Sequence, residues 1–175
     1  MGIVEIRFDQ SIIDLAEARA KALGKLNDSI TEGEGNVCGY IGQTIAARIF
    51  GAKDVDLYDY DLILPNGKTV YVKSKRTTFT PRDNYDVSVC AETRPQECDF
   101  YCFMRVHIEI MKAWLLGYYL REKYLREAVL KVKGEYDPSN GFTVKKSCYN
   151  MKIGDLRKWN NLKSSYQISS RSLTS

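Results

Sequence analysis

The chain has 175 residues, of which 44% are hydrophobic and 27% are charged. These proportions are those of a folded globular protein and exclude the disordered and collagen-like classes. No run of about 18 apolar residues occurs, and the N-terminal residues lack the basic and then apolar order of a secretion signal. We therefore expect neither a transmembrane span nor secretion, and the expected location is the cytoplasm.

The formal net charge of +4 is unevenly distributed along the chain. Residues 145–175 contain seven Lys or Arg residues and one acid, Asp155, which leaves a balance of −2 for residues 1–144. A basic C-terminal region suits contact with a polyanion, of which a nucleic-acid backbone is the commonest. A solvated basic end that binds nothing explains the charge equally well.

The cysteines and histidine limit the chemistry available to this chain. Five cysteines form an odd set without a Cys-x-x-Cys pair, and His107 is the only histidine. A closed zinc site would need an unusual mixture of ligands, and a histidine-based catalytic triad would have one candidate. We interpret the cysteines as reduced, mostly buried thiols and His107 as a half-buried strand residue.

The N-terminal part of the chain predicts two helices. Apolar residues recur at helical spacing in residues 10–26, and a turn-rich loop follows over residues 27–36. A second helical pattern covers residues 37–51 and contains Gly39 and Gly42. A glycine inside a helix costs about 1 kcal/mol relative to alanine, which is understandable where another element must approach the backbone closely.

The middle of the chain changes to strand-like alternation. The pair Asn66-Gly67, a strong hairpin signal, separates two predicted strands at residues 57–64 and 69–76. Three further strands are predicted at residues 85–91, 99–107 and 112–119. A β-sheet therefore forms the predicted core.

The C-terminal third predicts a helix, a polar loop and a short closing helix, at residues 120–129, 134–141 and 153–159. The serine-rich end, residues 163–175, has no periodicity and is expected to be a loosely held, flexible tail. We therefore expect an α/β fold with a mixed central β-sheet flanked by helices, in one domain over residues 1–162.

The predicted hairpin carries the most informative side chains. Side chains alternate between the faces of a strand, so the apolar Val70 and Val72 share the face expected in the core. The opposite face of that strand then carries Tyr71, Lys73 and Lys75. On the partner strand Asp59 and Asp61 share a face. A solvated cross-strand ion pair, worth about 0.2–1 kcal/mol, is the simplest interpretation of this pattern.

The order of these parts resembles the PD-(D/E)XK nucleases: a glycine-bearing helix, an aspartate on a first strand, a turn, and an alternating strand that ends in lysine. The resemblance is closer to a phage-encoded branch of that superfamily and covers roughly residues 27–157. Each motif is weak alone, and their order and spacing together are fairly specific. The motifs are Gly33-Glu34-Gly35-Asn36, Gly39-Tyr40-Ile41-Gly42, Tyr60-Asp61-Leu62-Ile63-Leu64, Gly67-Lys68-Thr69-Val70, Val72-Lys73-Ser74-Lys75-Arg76-Thr77, Cys98-Asp99-Phe100-Tyr101-Cys102-Phe103 and Lys112-Ala113-Trp114-Leu115-Leu116-Gly117-Tyr118.

The resemblance implies a helix glutamate, a strand aspartate, and a second acid two positions before a lysine, which together hold one or two Mg²⁺ or Mn²⁺ ions. Carried over to this chain, the strand aspartate and metal ligand is Asp61 and the lysine is Lys73. The other two positions depart from the family pattern. Gln43 occupies the helix position, and Tyr71 stands two residues before the lysine.

Both departures weaken a magnesium site. Mg²⁺ prefers anionic oxygen ligands, whereas Gln43 offers a neutral carbonyl oxygen. A tyrosine phenol with an ordinary pKa of about 10 stays protonated at neutral pH and is bulkier than a carboxylate. The candidates for a substitute carboxylate are Asp59, on the face of Asp61, and Glu32, Glu34 and Glu92.

The leading expectation is a nuclease-like, DNA-binding protein that carries out metal-dependent phosphodiester hydrolysis, with Asp61, Lys73, Gln43 and Tyr71 at the catalytic positions. The alternative is a catalytically impaired homologue that acts as a nucleic-acid-binding or protein-interaction module. In either case the residues expected to contact phosphate are Lys75, Arg76 and Arg82, because basic side chains, and guanidinium groups above all, pair with phosphate oxygens.

Overall fold

The computed structural model describes residues 2–23 and 34–170. Within these ranges the α-helices are α1 (Gln10–Leu23), α2 (Glu34–Phe50) and α3 (Arg121–Glu127). The strands are β1 (Val4–Phe8), β2 (Lys53–Asp54), β3 (Leu62–Ile63), β4 (Thr69–Arg76), β5 (Asp86–Cys90), β6 (Phe100–His107), β7 (Lys112–Leu120), β8 (Val129–Lys131), β9 (Tyr136–Asp137), β10 (Phe142–Thr143), β11 (Cys148–Lys152) and β12 (Ser165–Ile168).

Seven of these strands form a mixed sheet in the order β12-β1-β7-β6-β4-β3-β2. β1 runs parallel to β12 and β4 runs parallel to β6, while the other neighbours are antiparallel. A three-stranded antiparallel sheet, β5-β11-β8, and the β9–β10 hairpin complete the described strands. The fold is therefore α/β, with a large mixed sheet flanked by helices, as the sequence predicts.

The large sheet separates two hydrophobic clusters. On one face Val70 and Val72 of β4 pack in a cluster that includes Ile41 of α2. On the other face Phe103 of β6 packs in a cluster that includes Tyr124 of α3 and residues of the three-stranded sheet β5-β11-β8, which we call the small sheet. The strict alternation of β4 produces this arrangement, because successive side chains point to opposite faces.

The close packing of α2 on β4 depends on one glycine. A Cβ atom built at Gly42 would lie 1.8 Å from Ser74 Oγ, which is far inside the contact distance. A Cβ at Gly39 would meet no atom within 4 Å. The expected close approach to the helix backbone is therefore confirmed at Gly42 and is wrong at Gly39.

The serine-rich end differs from its prediction. Ser165–Ile168 form β12, which pairs with β1 in parallel, and the Ile168 side chain is fully buried. The prediction of a loosely held tail is wrong for these residues. Sheet hydrogen bonds are made by the backbone and do not require a periodic apolar sequence. A strand such as β12, with a single buried side chain, therefore cannot be recognised from the sequence pattern. Residues 171–175 lie outside the described residues.

Two further predicted elements are shorter than expected. Of residues 57–64, only Leu62–Ile63 are in a strand, because the preceding chain turns back and pairs with the backbone of Asp61. Of residues 153–159, only Ile153–Asp155 form a single 3₁₀ turn. The chain then becomes extended, and Arg157 exchanges two backbone hydrogen bonds with Tyr118, at 2.9 and 3.0 Å.

All five cysteines are free thiols, three of them buried and two partly exposed, so the expectation that most of them are buried is confirmed. His107 is the last residue of β6 and is partly buried, as predicted. None of the helices in residues 2–23 and 34–170 combines the length and apolar character needed to cross a bilayer.

Candidate functional site

Asp61 lies immediately before β3, where the hairpin ladder ends. Its amide donates to the Val70 carbonyl at 2.9 Å, and its Oδ2 accepts a hydrogen bond from the Val72 amide at 2.6 Å. Because β3 has only two residues, this carboxylate satisfies an amide that a longer strand would pair through its backbone. Asp61 therefore has a structural role in the sheet.

Asp61 is only 8% exposed, and the environment of its carboxyl group disfavours the charged form. Burial raises the pKa of Asp61 to about 7, and the negative charges of Asp56 and Asp54 raise it further. The Val72 amide and the Arg19 charge act in the opposite direction. In the folded protein this group therefore holds its proton to a higher pH than an ordinary aspartate does.

Gln43 contacts two carboxylates at the edge of the sheet. Its Nε2 donates to Asp54 Oδ1 at 2.7 Å and to Asp56 Oδ1 at 3.3 Å. Arg19 binds the same two residues, at 2.7 Å from Asp54 Oδ2 and 3.5 Å from Asp56 Oδ2. We call Arg19, Gln43, Asp54 and Asp56 the edge cluster. An amide at position 43 donates to these acids, whereas a glutamate would add a third negative charge among them.

Tyr71 and Lys73 lie on the face of β4 that points away from α2. The side chain of Ser74 lies against Gly42 of α2, and Val72 packs in the cluster on that same face. Strand alternation therefore directs the odd-numbered residues of β4 toward the opposite face. The sheet therefore lies between the side chain of Lys73 and α2, the helix that carries Gln43.

The surroundings of Tyr71 and Lys73 are those of partly buried strand residues. Tyr71 packs edge-to-face on Tyr101, with ring centroids 6.3 Å apart, and burial raises the pKa of its phenol. Burial lowers the pKa of Lys73, against the opposing charges of Cys90 and Asp61. Among the described residues, no hydrogen bond or ion pair joins the four predicted catalytic positions to one another.

Asp59 contacts Arg94 and Glu97, which lie in the loop between β5 and β6. Its Oδ1 forms an ion pair with Arg94 at 3.0 Å and accepts a hydrogen bond from the Glu97 amide, also at 3.0 Å. The prediction that Asp59 and Asp61 share one strand face is wrong, because residues 57–61 do not form a strand. Asp59 therefore does not take the place of the missing metal ligand by strand alternation.

The remaining candidates for a substitute carboxylate do not complete the site. Glu92 Oε1 accepts a hydrogen bond from the Ser147 amide at 2.7 Å, beside the small sheet. Glu32 and the side chain of Glu34 lie outside the described residues.

The donor set around Asp61 does not fit the Mg²⁺ site that the family resemblance implies. Asp54 and Asp56 are both engaged by the single guanidinium of Arg19, and Asp61 is engaged with a backbone amide. In the part of the chain that the structure describes, no three His, Cys, Asp or Glu side chains are grouped so that they could hold a metal ion. These side chains therefore do not supply the group of free anionic oxygens that Mg²⁺ prefers.

A second site lies where the C-terminal ends of β4 and β6 meet the small sheet. A cavity of about 290 Å³ opens there, which we call the basic groove. Its charged lining consists of five basic residues and one acid, namely Lys75, Arg76, Arg105, Lys131, Lys146 and Asp86.

The charge of the basic groove is only partly compensated. Lys75 and Arg105 are paired in the β4–β6 register, and the Arg105 charge adds to burial in lowering the pKa of Lys75. Arg105 donates to the backbone carbonyl of Asp86 at 2.6 Å. The carboxylate of Asp86 is bound by Lys131 at 3.1 Å and by Lys152 at 2.7 Å. Within the described residues Lys75 forms no ion pair, so the groove retains excess positive charge.

Aromatic and polar groups complete the lining of the basic groove. Tyr85 and Phe142 line it while remaining 37% and 50% exposed. Asn150 also lines it, and its buried Oδ1 has no hydrogen-bond partner. The groove therefore combines cations for an anion, flat apolar rings, and an amide with unused hydrogen-bonding capacity.

The sequence identifies part of this groove. Lys75 and Arg76, two predicted phosphate contacts, line it, and Arg76 also pairs with Glu109. Arg82 is not among the lining residues. Sequence reasoning missed Arg105, although a charged residue inside the apolar run of β6 is a signal that could have identified it.

No protein-family model matches the sequence, and no curated protein sequence is significantly similar to it.

Proposed function

We propose that this protein binds nucleic acid without cleaving it, and that the phosphodiester backbone lies in the basic groove. The observation that supports this most directly is the pair formed by Lys75 and Arg105. Two adjacent cations, of which Lys75 lacks a carboxylate partner in the described residues, repel each other. A phosphate group between them would remove that repulsion and would accept charge-assisted hydrogen bonds.

The types of cation in the groove suit a phosphodiester. The guanidinium of Arg105 presents a planar fork of donors, whereas Lys75 supplies a compact charge on a flexible stem. Lys146 is exposed and extends the positive surface beyond the cavity. Neutralisation of successive phosphates by such groups releases counterions, which makes the binding sensitive to salt.

The aromatic residues of the groove favour single-stranded over duplex nucleic acid in this proposal. Tyr85 and Phe142 expose ring surface beside the cations. Bases of a single strand are free to stack on such rings, at about 1–3 kcal/mol per base, whereas paired bases are not. We therefore expect tighter binding to a single strand than to a duplex of the same length.

The proposal includes a PD-(D/E)XK-like fold without the nuclease reaction. The order of α2, β3 and β4, and the packing of α2 on β4, support the likeness to that superfamily. Metal-dependent hydrolysis needs a cation to activate water and to offset charge on the phosphate. The engaged carboxylates of Asp54, Asp56 and Asp61 argue against such a cation here.

Binding is tested by fluorescence anisotropy with labelled single-stranded and duplex DNA of about 16 nucleotides, a length that spans typical single-strand sites. We expect binding that weakens with added salt and a roughly tenfold loss of affinity, or ~1.4 kcal/mol, in Lys75→Ala. Lys21→Ala on α1 is the matched control, because Lys21 is exposed outside the groove. Absence of binding to either DNA would reject the proposal in favour of the protein-interaction alternative.

Cleavage is tested by incubating plasmid and single-stranded DNA with the protein in Mg²⁺ and then in Mn²⁺. We expect no cleavage above that of a preparation carrying Asp61→Ala. Cleavage by the wild type that disappears in both Asp61→Ala and Lys73→Ala would restore the nuclease expectation and contradict the non-hydrolytic part of the proposal.

A further inference from the structure

Cys90 and Cys148 face each other across two strands. The register of β5 and β11 places them directly opposite each other. The next pair along these strands, Ala91 and Ser147, is joined by a backbone hydrogen bond of 2.9 Å. Hydrogen-bonded and non-hydrogen-bonded pairs alternate in an antiparallel ladder, so the two cysteines occupy a non-hydrogen-bonded pair.

This position has the geometry that a disulfide requires. Cα atoms of a non-hydrogen-bonded pair are about 4.5 Å apart, which is within the range of about 4.4–6.8 Å found across disulfides. The two thiols can therefore be joined by side-chain rotation, without movement of the strands.

The same two cysteines are the accessible ones. Both are partly exposed, whereas Cys38, Cys98 and Cys102 are buried. Cys148 also lines the basic groove, which connects it to solvent. A small oxidant can therefore reach this pair more easily than the other three thiols.

We propose that Cys90 and Cys148 form a redox-active dithiol that reacts with a small-molecule disulfide of the glutathione class and closes to a bridge between β5 and β11. This inference is independent of nucleic-acid binding, because it depends only on strand register and access.

The reaction takes place in two exchanges. The thiolate of one cysteine of the pair attacks one sulfur of oxidised glutathione, the sulfur–sulfur bond of the oxidant breaks, and one glutathione leaves as a thiolate. The thiolate of the other cysteine then attacks the protein sulfur that carries the second glutathione, this glutathione leaves, and the bond between Cys90 and Cys148 forms. The two cysteine thiols lose two electrons to the oxidant, and their two protons end on the two released glutathiones.

The test treats reduced, folded protein with oxidised glutathione, quenches with acid, alkylates the denatured chain and measures its intact mass. In the wild type we expect three alkylated cysteines out of five, no bound glutathione, and a peptide linking Cys90 to Cys148. Cys90→Ser and Cys148→Ser should each stop at a glutathione adduct on the remaining cysteine. Cys98→Ala, which leaves the pair intact, should close as the wild type does.

Three results would overturn the inference. These are a stable glutathione adduct on the wild type without closure, a disulfide that maps to another pair, and full alkylation of all five cysteines after exposure to the oxidant. The wild-type measurement alone distinguishes these results, so it does not depend on how well the serine variants fold.

Discussion

The carboxyl group of Asp61 accepts a hydrogen bond at the end of the β3–β4 ladder and interacts electrostatically with the two acids of the edge cluster. Its hydrogen bond to the Val72 amide favours ionisation, while burial and the two acids of the edge cluster oppose it. Burial is the largest of these effects, so the folded protein holds this proton more tightly than the unfolded chain does.

This difference makes stability depend on pH. The pKa of Asp61 is raised to about 7, against an ordinary value of about 3.9 for aspartate. Below about pH 4 the group is protonated in both states and imposes no penalty. As the pH rises toward 7 the unfolded state ionises more readily, so the folded protein loses stability and the full penalty is present above pH 7.

Asp61→Asn removes this titration and retains an oxygen that can accept from the Val72 amide. We expect the free energy of unfolding of the variant, relative to wild type, to rise between about pH 4 and pH 8 by up to about 4 kcal/mol. Chemical denaturation across that range measures the effect. A flat difference for Asp61→Asn across this range would contradict the assigned burial.

Gly42 and Gly39 form a matched pair of helix glycines. Gly42→Ala should destabilise the fold by about 1–3 kcal/mol, because the added Cβ collides with Ser74. Gly39→Ala, which meets open space, should instead stabilise it by up to about 1 kcal/mol through helix propensity. Thermal unfolding measures both, and partial rescue of Gly42→Ala by Ser74→Gly would identify the contact. Equal effects at the two positions would contradict the packing of α2 on β4.

Residue-scale prediction from the sequence succeeds where local alternation decides the outcome and fails where distant groups meet. The faces of β4 follow from alternation, so Val70 and Val72 are correctly placed in a core. The partners of Gln43 depend instead on how α2 crosses the edge of the sheet. No spacing in the sequence encodes that crossing.

At the scale of elements, β12 anchors the C-terminal segment to the edge of the large sheet. Ile168 is fully buried in the cluster under α1 and α2, while Gln167 on the same strand is exposed. Ile168→Ala should therefore lower the free energy of unfolding by about 2 kcal/mol or more. Gln167→Ala should change it by less than about 0.5 kcal/mol. A negligible effect of Ile168→Ala in denaturant titration would show that β12 adds nothing to stability.

Most elements recognised from sequence have long apolar patterns. α1, β4, β6 and β7 each have at least eight residues and lie close to their predicted bounds; α1 and β4 have a clear period, whereas β6 and β7 are nearly continuous apolar runs. β5 has only five residues and lies within one residue of its prediction at each end. β1 and β12 have five residues or fewer and pair with strands far away in the chain. Tertiary pairing decides such short strands, so local pattern does not reveal them.

At the scale of the whole molecule, positive charge is assembled in one place from separate parts of the chain. The basic groove takes Lys75 from β4, Arg105 from β6 and Lys146 from the segment before β11. The sequence shows the basic residues of each part separately. Their convergence requires the parallel pairing of β4 with β6 and the docking of the small sheet, which are non-local features.

The central claim is that phosphate groups of a nucleic acid contact Lys75 in the basic groove. The direct measurement is the dissociation constant for a single strand at several salt concentrations, for the wild type, Lys75→Gln and the control Lys21→Gln. We predict that Lys75→Gln weakens binding and reduces the slope of log affinity against log salt by about 0.7, the value for one single-strand phosphate contact. The control should retain the wild-type slope. An unchanged affinity and slope in Lys75→Gln would contradict the account.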